Sequence, residues 1–318
     1  MRQSDKLAQL VSFSSLKGFL LLTSPILISF PRNIECNFQG FSWLAQVSAK
    51  LRPLWKTAVR FDARSLRFFD GNLCAPFGAL LCDAQKSGVS VSWDNISGGV
   101  LEVWSKNEFS RSFGGATMND IFDTTLAYRQ FPLNENPKSF AGYVTQELMS
   151  KDLPQMSDEM RREFARSIQE IFDNAQMHSQ SASGVFGCGQ FFPSQERLAF
   201  TLTDLGVGFR RTVEQKTGRT FQDKKAIAWA IQVGHSARAE HGGYGLPTLK
   251  EFFARNKGRL QIVSGSGFWE LNQFGEQLNT LPHAFPGSFV NMEINTSDET
   301  YHQSSTELVA ESLKTPLF

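Results

Sequence analysis

One amphipathic stretch constrains this chain more than any other. Pro154 stops what precedes it, Ser157 can cap the free N–H groups of a new helix, and Asp158 and Glu159 fall in the first turn, where the helix dipole favours acids. Met160, Phe164, Ile168, Ile171, Phe172 and Ala175 then recur at helical spacing as one apolar stripe. A helix with such a stripe must be laid against a second layer. Strand-like runs at 185–192 and 198–203 follow directly and can supply it.

The rest of the chain divides around that helix. At 318 residues, a prior of ~150 residues per domain suggests about two domains. Before the helix, 26–30, 59–61 and 89–93 read as short buried strands, and 41–55 and 73–86 as helices. Strands alternating with helices predict a small α/β layer. The polar stretch 107–123 reads as irregular, and 132–137 (PLNENP) has the most linker-like composition, placing a boundary near 135. After the helix, a Gly- and Arg-containing loop leads to another helix beginning near Pro247. Strands at 259–264 and 268–273, with a turn expected at Gly265-Ser266-Gly267, and a last strand at 289–294 close the region. The expected class is α+β: a unit over 136–296 with a mixed sheet and helices on one face, preceded by a smaller α/β unit over 1–135. A loose polar tail is expected over 297–318.

Composition excludes several function classes. Lys and Arg total 32 against 31 Asp and Glu, so the formal charge is only +1, which argues against nucleic acid as a direct ligand. Hydrophobic residues make up 41% and charged ones 20%, which excludes wholesale disorder. The 29 Phe demand a large core. Cys36, Cys74, Cys82 and Cys188 form no CxxC pair and read as reduced thiols, neither a disulfide frame nor a zinc site. The apolar stretch 18–30 is interrupted by Pro25 and is shorter than the ~20 residues of a membrane span. No small-residue cleavage site follows it, so a cytoplasmic protein without a membrane segment is expected.

Familiar catalytic motifs are missing: there is no Gly-Lys-Ser/Thr, no HExxH and no GxSxG, and Gly206-Val207-Gly208 lacks the third glycine of a dinucleotide fingerprint. Three separate pieces remain. Glu170, Asn174 and His178 share a row along the long helix, and a carboxylate beside an amide oxygen suits Mg²⁺ or the activation of a hydroxyl. A solvated polar stripe is the plainer reading of that row alone. Asp204 at a strand end can accept from an exocyclic amine, and Gly206 and Gly208 let backbone approach a flat ligand; an ordinary Asp-Gly turn would look the same. Finally, His241-Gly242-Gly243-Tyr244-Gly245-Leu246-Pro247 opens a helix whose first N–H groups can face an anion, although a flexible loop would share this composition.

Their order makes the sequence resemble the Bergerat-fold (GHKL) ATP-binding superfamily, which includes histidine kinases, anti-sigma-factor serine kinases, type II topoisomerase subunits, mismatch-repair proteins and heat-shock chaperones. Glu170 and Asn174 match the ExxxN helix motif, Asp204, Gly206 and Gly208 the DxGxG box, and Gly243, Gly245 and Leu246 the GxGL box, over roughly 155–295. The resemblance implies ATP and Mg²⁺ as cofactors. Asn174 would hold the metal, Glu170 would act as general base, and Asp204 would bind the adenine amino group beside Gly206 and Gly208. Gly242, Gly243, Tyr244, Gly245 and Leu246 would contact the nucleotide. Ser288, after Gly287, stands where the family usually has Thr. Residues 209–245 would form the ATP lid, with Arg210, Arg211, Arg219, Lys224, Lys225 and Arg238 as candidates for the γ-phosphate.

A fainter resemblance links 59–81 to STAS-type domains of anti-sigma-factor antagonists. Asp70 is followed by Gly71 and Asn72, so the phosphoacceptor hydroxyl of those antagonists is missing. The first unit is then expected to dock a protein partner, with a homodimer also compatible. The combination implies a bacterial regulatory ATPase or serine/threonine kinase, or else a non-catalytic ATP-binding adaptor or an ATPase subunit of a larger assembly such as a defence complex.

Overall fold

The computed structural model describes residues 24–232 and 244–314, and the chain is α+β. Its first part holds a parallel sheet in the order β1 (Ile26–Ser29), β3 (Ala58–Asp62), β5 (Ser90–Asp94). A two-residue ladder joins β2 (Asn33–Ile34) to β4 (Phe68–Phe69). The crossovers are α1 (Phe38–Leu51), capped by Asn37 accepting from Gly40 N–H, and α2 (Cys74–Lys86). Two helices not expected from the sequence follow: α3 (Gly98–Lys106), which buries Val100 and Trp104, and the single turn α4 (Phe109–Ser112).

The second part is built on a five-stranded sheet in the order β6 (Thr125–Phe131), β7 (Val185–Phe192), β8 (Arg197–Asp204), β10 (Gly275–Asn295), β9 (Arg259–Asn272). Every pairing in it is antiparallel, where a mixed sheet was expected. Because β6 pairs with β7, the linker-like stretch 132–137 does not separate two layers. It joins β6 to α5 (Pro137–Tyr143) within the second part.

Helix α6 (Asp158–His178) is the expected amphipathic helix, and Ser157 Oγ accepts from Met160 N–H at 3.0 Å. The remaining helices are α7 (Gly208–Thr217), α8 (Asp223–Ala230), α9 (Gly245–Asn256) and α10 (Ser305–Lys314).

Alternation along the strands sends side chains to two faces of the sheet. Leu198, Phe200 and Leu202 of β8 and Val290, Met292 and Ile294 of β10 meet α5, α6 and α9 in one core. The opposite parity (Phe186, Cys188, Val263, Phe289) packs on the first α/β layer, so helices cover both faces rather than one. The Phe excess is spent in both cores: Phe77 is in ring contact with Phe30, Phe61, Phe69 and Phe109, while Phe140 stacks on Phe172 at 4.0 Å.

Two further expectations are corrected. Gly265-Ser266-Gly267 is not a turn: β9 runs through it, and the hairpin closes between Asn272 and Gly275. Gly265 has φ +57°, and a Cβ there would lie 2.5 Å from Asp223 Oδ2, so this glycine admits the N-terminus of α8 against the strand. Ser266 N–H and Oγ both donate to Asp223. Nor is the C-terminal stretch simply loose. His302 is buried against Phe252, its carbonyl accepts from Ser157 N–H, and Ser157 Oγ donates to Glu307.

All four cysteines are free, and no helix among the described residues is long and apolar enough to cross a membrane.

Candidate functional site

A cavity of about 130 Å³ opens between α6, the strand ends of β8 and β10, α7, α8 and the start of α9. Glu170, Asn174 and His178 line it from α6, Asp204 and Ser288 from the sheet, and Leu246 and Pro247 from α9. Residues 118 positions apart, from three segments singled out in the sequence, therefore share one space.

Asp204 is the chemical centre of its floor. It ends β8 opposite Ser288 of β10 and Val185 of β7. Ser288 Oγ donates to Oδ2 at 2.6 Å, and Gly206 N–H donates to Oδ1 at 2.8 Å. Burial pushes the carboxyl up to about 6, although both donors pull the other way, and no cation among the described residues pairs with it. A buried carboxylate with two donors still has lone pairs for a third. Gly206 and Gly208 explain the tight floor. A Cβ on Gly206 would sit 1.8 Å from Ser179 O, and Gly208 has φ +71°. Val207 N–H donates to that same Ser179 carbonyl at 2.7 Å, fixing the loop to the C-terminal end of α6.

The α6 row divides into one held group and two open ones. Glu170 Oε2 accepts from Gly245 N–H at 3.0 Å, so a carboxylate already occupies a free donor at the start of α9. Asn174 Oδ1 and His178 Nε2 are buried and have no hydrogen-bond partner among the described residues. Orphaned polar atoms of this kind are costly in a closed protein, so they mark where a ligand can bond. Among the described residues no three His, Cys, Asp or Glu cluster as metal ligands. Mg²⁺ does not need such a cage: it binds through one or two protein oxygens plus substrate phosphates, and the Asn174 and Glu170 oxygens fit that pattern.

The sequence-based site is thus gathered in part. Glu170, Asn174, Asp204, Gly208, Leu246 and Ser288 line the cavity, and Gly206 and Gly245 hold its walls through their N–H groups. Tyr244 is 60% exposed and does not line it. Gly242, Gly243 and Arg238 lie outside the described residues. Arg210, Arg211, Arg219, Lys224 and Lys225 do not line the cavity, and Arg210 is bonded to Glu214 and close to Asp223.

Sequence reasoning missed Phe209, Thr212, Val213 and Lys216 as one wall, although their spacing is that of one helix face. It also missed Trp229, which lines the cavity from α8.

The segment resembling an antagonist's phosphoacceptor site is turned inward. Asp70 and Asn72 are buried. Asn72 Nδ2 donates to Thr201 Oγ1 and Asn291 Oδ1, Gly71 N–H to Gln190 Oε1, and Arg197 pairs with Asp70 at 2.9 Å. This helix start docks on the chain's own sheet. Compared with protein-family models and with curated proteins, the sequence matches none.

Proposed function

We propose that this chain is a Mg²⁺-dependent ATP-binding regulatory protein of the Bergerat type, using the cavity between α6 and the Asp204 strand end. The observation that supports this reading is that Glu170 and Asn174 of the ExxxN piece, Asp204 and Gly208 of the DxGxG piece and Leu246 line one cavity, with a buried Asp204 on its floor that no cation among the described residues pairs with. In this reading Asp204 accepts from the exocyclic amine of adenine while Ser288 orients the carboxylate. The apolar walls from Leu202, Val290, Phe209 and Ile171 suit a flat ring. The Asn174 oxygen and, beside it, Glu170 face the phosphates, where Mg²⁺ when bound would neutralise their charge. Glu170, released from Gly245, has the chemistry to take a proton from water or a serine or threonine hydroxyl. Walls α7 and α8 would settle on the bound nucleotide and so alter a surface offered to a protein partner. That partner would meet a surface other than the Asp70–Asn72 segment, which the sheet covers.

A second reading, binding without turnover, is favoured by one observation: the Glu170 carboxylate is engaged in holding the start of α9. Incubation with γ-labelled ATP and candidate partners separates the two. Free phosphate means an ATPase, label on Ser or Thr means a kinase, and neither means a binder. The binding claim itself is tested by Asp204→Ala, which should abolish ATP-dependent thermal stabilisation. Stabilisation equal to the parent's would refute the assignment.

A further inference from the structure

Of the lid cations expected from the sequence, none among the described residues reaches the cavity, yet one unexpected cation does. Lys216 is the only Lys or Arg among the described residues lining it. No carboxylate among the described residues pairs with its ammonium, which lies 5.8 Å from the centroid of the Trp229 ring, itself a cavity wall. A cation over an aromatic face at that distance is held weakly and keeps its capacity for a stronger partner.

The layout says which part of a ligand Lys216 would meet. Helix α7 leaves the floor beside Asp204 at Gly208, and Lys216 stands two turns further on, roughly 12 Å along the axis at 1.5 Å per residue. Helix α6 reaches the same floor at Ser179 and carries Glu170 about 13 Å back along its own axis. The base end is therefore marked by Asp204, and charged groups stand away from it on both walls. At the start of α9 the Gly245 N–H is bonded to Glu170, so a negative charge lies where an unassisted helix terminus would receive an anion. Lys216 is the cation among the described cavity residues that a phosphate chain can meet.

We propose that Lys216, parked over Trp229, is the residue that selects nucleoside polyphosphates over monophosphates at this site. The proposal rests on the nucleotide reading above and adds to it the residue that counts phosphates. A lysine suits the task as a mobile point charge on a flexible stem.

The test is the ratio of ATP to AMP affinity, measured by calorimetry with Mg²⁺ on the full chain, in the parent and in Lys216→Ala and Lys216→Arg. Lys216→Ala should weaken ATP by ten-fold or more and AMP by less than three-fold. Lys216→Arg should keep most of the parent's ratio. An ATP-to-AMP ratio unchanged in Lys216→Ala overturns the role of Lys216 while leaving the nucleotide reading intact. A folded parent that binds neither nucleotide overturns both. Lys216 is exposed, so the variant is expected to fold, and a melting curve of the ligand-free protein checks it.

Discussion

The two faces of the five-stranded sheet treat a buried aspartate in opposite ways. On the face toward the first α/β layer, Asp70 receives Arg197 at 2.9 Å and the Cys36 N–H at 2.8 Å, while Arg197 and Arg259 also bind Glu293. Around this group Asn72, Thr201, Asn291 and Gln261 form a continuous hydrogen-bonded chain. On the other face Asp204 has two neutral donors and no cation among the described residues, and Asn174 and His178 each leave a buried atom unbonded. The first face spends its polar groups on the fold. The second holds them back, and unspent polar capacity beside a cavity is what a ligand site requires.

Removing Asp70 breaks the comparison from its closed side. Asp70→Ala leaves Arg197 without one of its two carboxylates in a buried setting, and should cost about 3 kcal/mol in urea unfolding. A loss below half of that would mean the network contributes little.

Asp204→Asn acts in the other direction. Burial raises the folded carboxyl from 3.8 to about 6, so the folded state retains a proton that the unfolded state has already released. The corresponding stability is complete below pH about 4 and is lost as pH rises through about 6, on the order of 3 kcal/mol in all. The ligand-free Asn variant should therefore be more stable than the parent at pH 7.5, with the gap closing at pH 4.5. Equal stabilities at both pH values would count against the isolation of this carboxylate. Nucleotide binding in the parent should show the opposite dependence, weakening as pH falls below about 6, because the protonated acid loses the acceptor.

The smallest effect belongs to Ser288→Ala. Its hydroxyl favours the ionised form of Asp204, so its removal should move the pH midpoint of nucleotide binding upward and weaken ATP a few-fold at pH 7. A midpoint that stays put would show that Gly206 N–H alone holds the carboxylate.

How much of this was legible depended on range. Helix α6 was readable from its cap and stripe because both are local. Asp204 was readable as a strand end followed by glycines, and its sharing a cavity with Glu170 was expected only through the family resemblance that the order of the motifs carried. Gly265 and Gly267 misled because glycines that admit a neighbouring helix look, in sequence, like glycines that turn a hairpin. Strand β6 was hidden by the Pro-rich stretch after it, whose composition reports a loop but not which sheet lies on either side. The polar face around Asn72 could not be read at all, since Asn72 lies 129 positions from Thr201 and 219 from Asn291. Lys216 falls within 209–245 and carries the charge of the other lid candidates, but only its helical phase with Phe209, Thr212 and Val213 sets it on the cavity wall.

Strand β8 places Thr201 and Thr203 toward one face and Leu202 and Asp204 toward the other. Its length is therefore a parity code. Deleting one residue between Thr201 and Asp204 would leave either the anchoring threonine or the ligand-facing aspartate on the wrong side, whatever residue was removed. Substitutions in this strand can be graded by size and polarity, but single-residue insertions and deletions cannot. The protein's tolerance to change here is set by counting rather than by chemistry.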